Sequence, residues 1–228
     1  MSNIPYHLGI IIDGNRRWAR ERGRPAFEGH RQGSKNVKKT IEWCKKRGIK
    51  ILTFYVFSTE NWQRAKTEVN FLMKLFYSVL TKEVKKLAKN GIQLRVIGQK
   101  ERLSLRLQKA VKEAEDLTKN NKEMVLNIAI SYGGRAEIVE AVKKIIRDKV
   151  PGDKIDEKLL GDYLWTAGLA DPDLIIRTGG EKRLSNFLTW QSVYSELYFC
   201  DKYWPDFSEA DLDSALADYN RRQKRFGR

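Results

Sequence analysis

The chain has 228 residues, 41% of them hydrophobic, with 44 Lys and Arg against 29 Asp and Glu for a formal net charge of +15. That is enough for one large α/β domain with a real core, and the charge points to anionic partners: nucleic acid, phosphorylated small molecules or an acidic membrane surface. Cys44, Cys200 and two histidines complete no zinc pattern, and neither a membrane-spanning run nor, in residues 1–7, a signal peptide is visible, so a soluble protein of a reducing, cytoplasmic compartment is expected, at most peripheral at the membrane face.

The first predicted strand covers residues 8–12 and stops at one carboxylate, Asp13; Gly14, Asn15, Arg16, Arg17 and Trp18 follow, with the start of a helix. A helical pattern over 30–47 leads to a strand at 51–57, which ends in Ser58, Thr59, Glu60, Asn61, Trp62, Gln63 and Arg64. Next come a helix at 67–90, a strand at 92–97, a helix at 101–119 and a strand at 124–130 that opens into Ser131, Tyr132, Gly133, Gly134 and Arg135. Helices at 134–148 and 156–166 precede a strand at 173–176, followed by Arg177, Thr178, Gly179, Gly180, Glu181, Lys182 and Arg183. A strand at 195–199 and a helix at 208–224, begun by Ser208 and Glu209, close the chain.

The strands are continuously apolar, which predicts a sheet covered on both faces, and they are separated by helices, which predicts parallel crossovers. No repeat or long linker divides residues 1–228, so a single α/β domain with a mainly parallel, six-stranded sheet is expected. Parallel strands put their C-terminal ends on one edge, where open α/β sheets bind ligands. Four polar, arginine-containing ends, three of them bearing glycine, therefore converge on one mouth. Arginine forks fit phosphate oxygens, glycines let backbone N–H groups approach an anion, and helix N-termini add partial positive charge.

No GxGxxG follows a strand and no GxxxxGK[ST] occurs; residues 29–35 have the wrong spacing for a phosphate loop. A lone carboxylate in such a mouth fits Mg²⁺, which takes one or two protein carboxylates and completes its octahedron with water and phosphate. It equally fits a plain ion pair between Asp13 and Arg16 or Arg17. The order of residues shows no Ser-His-Asp, HExxH or DDxxD motif.

Residues 7–20, 28–33, 54–64, 127–141, 173–199 and 204–207, in that order, resemble the cis-prenyltransferases, most closely the undecaprenyl diphosphate synthases, and the likeness runs from His7 to the terminal residues 221–228. The resemblance implies a Mg²⁺-dependent condensation of isopentenyl diphosphate with an allylic diphosphate primer, forming Z double bonds, in a homodimer with an apolar tunnel for the growing chain. It implies Asp13 as the essential metal-holding acid and Glu196 as a second one. Gly14, Asn15, Arg16, Arg17, Trp18 and His30 would surround the allylic diphosphate, with Ser58, Thr59 and Glu60 in the same site. Asn61 would take part in proton loss, Trp62 and Arg64 would position substrate, and Arg177, Arg183 and Ser185 would bind isopentenyl diphosphate. Arg225 and Gly227 would form a terminal RxG. A neutral amide is a very poor base, so Asn61 is expected to orient substrate while diphosphate oxygens take the proton.

Three positions depart from the family pattern: Ala26 replaces an arginine, Ala65 a proline and Val56 an alanine. Two other classes compete. A basic nucleic-acid module would stack bases on Trp18, Trp62 and Tyr132, but no RRM or KH signature is present. A noncatalytic partner subunit of the same family would have lost the acid or the terminal RxG, whereas Asp13, Asn61, Arg177, Arg225 and Gly227 are all here. A prenyltransferase with no nucleic-acid partner is the expectation.

Overall fold

The structure is a computed structural model and describes residues 4–222; Arg225 and Gly227 lie outside them. The elements are β1 (His7–Ile11), α1 (Asn15–Glu21), α2 (Ala26–Lys46), β2 (Ile51–Ser58), α3 (Lys66–Lys89), β3 (Ile92–Ile97), α4 (Leu105–Thr118), β4 (Met124–Tyr132), α5 (Gly134–Arg147), α6 (Glu157–Tyr163), β5 (Leu174–Arg177), β6 (Glu196–Phe199) and α7 (Glu209–Arg221). One six-stranded sheet runs in the order β3-β4-β2-β1-β5-β6, with every pairing parallel. The chain moves from β1 to β2 on one side and returns later to β5 on the other, which makes the C-terminal end of β1 a topological switch point.

Both faces of the sheet are covered, as the continuous apolar strands predict; all five residues of β1 are buried. On one face Leu8, Ile10, Leu52, Phe54, Leu94 and Leu126 pack with Ile41 of α2, Leu80 of α3, Val111 of α4 and Leu212 and Leu216 of α7. On the other, Ile11, Tyr55, Ala129, Tyr132 and Ile175 pack under Phe187 and Leu188.

Several boundaries differ from the sequence expectation, among them α4, which begins at Leu105 instead of 101. α2 begins at Ala26, four residues early, with Pro25 as its N-cap, and α1 is a separate short helix. The extra turn holds Gly29, whose missing side chain lets α2 pass directly over α1: a Cβ there would lie 1.9 Å from the Asn15 carbonyl oxygen. α6 ends at Tyr163 instead of 166.

Candidate active site

β1 delivers Asp13 to the switch point, and Gly14 turns the chain into α1 with φ of 98°. A left-handed backbone favours glycine, and a Cβ here would also lie 2.5 Å from the Tyr203 ring. The Asp13 carboxylate is gripped on both oxygens: the Gly14 N–H donates to Oδ1 at 2.6 Å and Arg177 Nη2 donates to Oδ2 at 2.9 Å. Arg17 Nη2 stands 3.4 Å from Oδ2. Arg177 ends β5, its side chain only 4% exposed, and Nη1 donates to Ser185 Oγ at 2.7 Å and to the Arg183 carbonyl.

The far wall is built from the end of β2. Ser58 N–H donates to Asn61 Oδ1 at 3.2 Å, and Asn61 N–H donates to Ser58 Oγ at 3.3 Å. The Asn61 oxygen is thus occupied by protein. Burial works against ionisation of Glu60, but hydrogen bonds from Asn186, its own backbone N–H, Ser58 and Thr59 overcome it and hold its carboxyl below its ordinary value. Glu68, on the first turn of α3, gathers the cations: Arg64 Nη1 lies 3.0 Å from Oε1, His30 Nε2 3.3 Å from Oε1 and Arg16 Nη1 3.9 Å from Oε2. Burial lowers the His30 pKa, with Glu68 opposing it, which favours the neutral ring.

These groups surround the mouth of a cavity of about 1170 Å³. Asp13, Gly14, Asn15, Arg16, Arg17, His30, Ser58, Glu60, Asn61, Arg64, Arg177 and Ser185 all line it. Its depth is apolar: Val37 from α2, Val56 and Phe57 from β2, Leu72, Met73, Leu75, Phe76 and Val79 from α3, and Ile128 and Ile130 from β4. β2 slips register against β4 on both sides of Phe57, and this bulge brings the adjacent Val56 and Phe57 to the same cavity. Two polar atoms of lining residues, Asn15 Oδ1 and Arg177 Nε, are buried with no hydrogen-bond partner among the described residues.

Five sequence candidates lie elsewhere. Trp18 is buried beneath Arg22, 4.6 Å from the ring centroid, and its indole N–H donates to Asp206 at 2.7 Å. Trp62 packs edge-on against Phe57 and donates to Ser131 Oγ at 2.8 Å, so it supports the wall from behind. Thr59 faces Gly133 and does not line the cavity. Arg183 presents an exposed side chain to Glu181 at 2.6 Å; its backbone carbonyl, not its guanidinium, reaches Arg177. Glu196 requires a correction. It opens β6, level with Leu174 and Leu8 at the N-terminal edge of the sheet, and pairs with Arg222 at 3.0 Å. Asp13 sits past the opposite edge, so the two carboxylates share no site within one chain. The fourth convergent end is also displaced: Arg135 lines a separate pocket of about 290 Å³, walled off by Glu60 and Asn186.

Sequence reasoning missed Glu68, Asn186, Tyr55 and Arg20, of which all but Glu68 line the cavity. The spacing of Arg64 and Glu68 by four residues was a usable signal for the latter. Asn186 has φ of 67°, a conformation asparagine tolerates, but nothing in the local sequence says that its turn faces β2.

A parallel α/β sheet with an arginine-rich mouth at its switch point, opening into a deep apolar cavity, defines a site for a molecule with an anionic head and an apolar tail. The family described as "Putative undecaprenyl diphosphate synthase" matches residues 11–227, and the chain belongs to this prenyltransferase family. It is 47% identical over 228 residues to the farnesyl-diphosphate-specific ditrans,polycis-undecaprenyl-diphosphate synthase of Legionella pneumophila strain Paris, covering 98% of this chain and 96% of that one. It is 50% identical over 232 residues to the geranylgeranyl-diphosphate-specific tritrans,polycis-undecaprenyl-diphosphate synthase of Thermoplasma volcanium, covering 98% and 89%. The crystal structure of lavandulyl diphosphate synthase from Lavandula x intermedia, in complex with dimethylallyl diphosphate, superimposes with a TM-score of 0.95 at 43% identity, covering 99% of each chain.

Proposed function

We propose that the chain joins isopentenyl diphosphate repeatedly to an allylic diphosphate primer, giving a Z-polyprenyl diphosphate. The observation that supports this best is the continuity of the cationic mouth with the apolar cavity: a diphosphate bound at the first would send its tail into the second. In each cycle the allylic C1–O bond breaks, C4 of isopentenyl diphosphate bonds to C1, and a proton leaves C2 of the isopentenyl unit.

The chain's own residues can do the following. Arg17, Arg64 and the N–H groups opening α1 hold the allylic diphosphate, with His30 beside them. Arg177, Ser185 and Arg183 hold isopentenyl diphosphate; Arg183 must first leave Glu181 to do so. Asn61, its oxygen bonded to Ser58, has its amide N–H groups left to orient substrate. The departing diphosphate oxygens accept the proton, and the apolar depth keeps water from the allylic cation.

Mg²⁺ fits the mouth as a one-carboxylate site. Asp13 is 34% exposed and lines the cavity, and Mg²⁺ needs only one or two protein carboxylates when water and substrate phosphate complete its octahedron. When bound, the ion would neutralise diphosphate charge and aid its departure. Asp13 would hold it without Glu196.

A homodimer is supported by a solvent-facing apolar patch. Val139, Val142 and Ile146 are 52%, 43% and 69% exposed along one stripe of α5, and Val193 and Tyr194 are 70% and 73% exposed. Gln191 Nε2, donating to Glu137 of α5 at 3.0 Å, keeps that segment beside the helix.

The nucleic-acid reading loses two of its three stacking platforms: Trp18 is 8% exposed and Tyr132 is fully buried. The deciding experiment incubates the chain with Mg²⁺, labelled isopentenyl diphosphate and, separately, dimethylallyl, farnesyl and geranylgeranyl diphosphate, and then resolves products by length. Formation of Z-polyprenyl diphosphates with at least one primer is expected; no incorporation with any of them refutes the reading.

A further inference from the structure

The two helices that wall the cavity also carry most of the molecule's excess charge. α2 has six Lys or Arg and two Glu, and α3 has six Lys and two Glu, so together they hold eight of the fifteen net positive charges. On the same side of the sheet α4 is neutral, and α7 carries four acids against one arginine. The fold does not consume this charge. Lys35, Lys39, Lys74, Lys82 and Lys85 are exposed and have no carboxylate within ion-pair distance among the described residues. Like charges on neighbouring turns repel, so an unpaired excess of this kind costs stability unless an anionic partner balances it.

The same helices bring apolar surface to the outside. α2 and α3 run side by side, tied at one end by Lys38–Glu83 at 2.5 Å and Lys86–Glu42 at 2.7 Å. At the other end Phe27 and Phe71 rings meet at 5.7 Å, with the Arg31 guanidinium over both. Phe27 is 41% exposed. Between the two ties, half-buried Leu72, Leu75 and Phe76 separate the cavity from solvent by the thickness of one helix.

A cationic face flanked by aromatic side chains, over a cavity shaped for hydrocarbon, matches a bilayer that displays acidic headgroups. We infer that the α2–α3 face docks the chain on an anionic lipid bilayer, so that a long product tail can pass from the cavity into the membrane. The product half of this inference rests on the proposed reaction; the docking half does not. No helix among the described residues is long and apolar enough to cross a membrane, so the contact is with the surface.

The test is vesicle flotation of the full chain without substrates, using phosphatidylcholine vesicles with or without about one-third phosphatidylglycerol. Binding to the acidic vesicles alone is expected, with release in roughly 0.5 M salt. The triple variant Lys35→Glu, Lys74→Glu, Lys82→Glu is expected to weaken partitioning by roughly 100-fold, since each lysine near an acidic surface is worth about a fivefold effect. Lys144→Glu, Lys154→Glu, Lys158→Glu, an equal charge change on and beside α5 and α6, should retain binding, and circular dichroism should show both variants folded. Equal losses in the two variants, equal binding to neutral vesicles, or retention on RNA with no vesicle binding would each overturn the docking face. A chain that docks this way yet makes no polyprenyl diphosphate refutes the reaction alone; one that makes product without docking refutes this inference alone.

Discussion

Asp13 carries more of the site than any other side chain, because both its oxygens are fixed before any ligand arrives. The Gly14 N–H holds one and Arg177 the other. Asp13→Ala removes the carboxylate that would hold the metal and also leaves the buried Arg177 guanidinium without its partner. Turnover is expected to fall by ~10³-fold or more with the fold retained, the scale of losing electrostatic stabilisation of a leaving group. Steady-state rates, with folding checked by circular dichroism, decide it; near-normal turnover in a folded variant sinks the role. His7 makes a contrasting case, since it matters to stability and not to chemistry. Its ring is buried between the Ala170 carbonyl, 2.6 Å from Nδ1, and Thr53 Oγ1, 2.7 Å from Nε2. Burial lowers its pKa from 6.5 to about 4, against the raising effects of Ala170 and Asp173. Between those values the unfolded chain binds the proton and the folded chain does not, so stability is full above pH 6.5 and drains as pH falls toward 4. The loss is about 3 kcal/mol over the window. Urea midpoints measured across it should fall steeply in the wild type and less in His7→Gln; equal slopes would remove His7 as the source.

Helix α2 shows how one residue type can act in opposite ways in different elements. Gly29 and Gly33, one turn apart, let α2 lie against α1: a Cβ would come within 1.9 Å of the Asn15 carbonyl at Gly29 and 2.1 Å of Asn15 Oδ1 at Gly33. At Gly29 the obstacle is backbone that cannot swing away, so Gly29→Ala is expected to cost about 3 kcal/mol or more, the upper end of overpacking. At Gly161 in α6 nothing lies within 4 Å, and Gly161→Ala should stabilise by about 0.5–1 kcal/mol. Thermal melts should move in opposite directions; a common direction would refute the packing account. The elements themselves were legible because their apolar runs are long and continuous. The early start of α2 was not, since glycine in sequence reads as a weak helix former and only the facing helix shows why it belongs there. The β2 bulge was equally hidden. Alternation places Val56 and Phe57 on opposite faces, whereas the register slip turns both to the cavity. Val56 therefore stands in the tunnel wall, where the family pattern has a smaller residue. Val56→Ala should shift products to longer chains with little change in primer KM, as read by thin-layer chromatography. Unchanged lengths would place the control elsewhere, in α3.

At the scale of the whole molecule, the sequence indicated the mouth and left its true membership open. Asp13 and Asn61 follow, and Arg177 ends, strands that neighbour one another in the sheet, so reading the C-terminal end of each strand was enough to group them. Glu196 begins its strand, and a parallel sheet sends beginnings and ends to opposite edges; that distinction was available from the strand limits but is easily lost when residues are compared by motif. Trp18 and Trp62 failed for another reason: burial of an aromatic depends on partners such as Asp206 and Ser131 that are distant in sequence. The same distance hides the outer surface of α5. Glu137 turns inward from that helix and is almost fully buried, its carboxyl pKa raised by burial against the hydrogen bonds of Tyr132 and Gln191. Val139, Val142 and Ile146 turn outward along one stripe, all more than 40% exposed. Monomers seldom leave so much contiguous apolar surface wet, whereas an isologous dimer buries the same patch twice. The double variant Val142→Lys, Ile146→Lys puts two like charges on each side of such an interface without touching the core or the cavity. Sedimentation velocity at micromolar concentration should give a dimer for the wild type and a monomer for the variant, with near-unchanged circular dichroism. A wild type that sediments as a monomer, or a variant that remains dimeric, would show that this face is not where two copies meet.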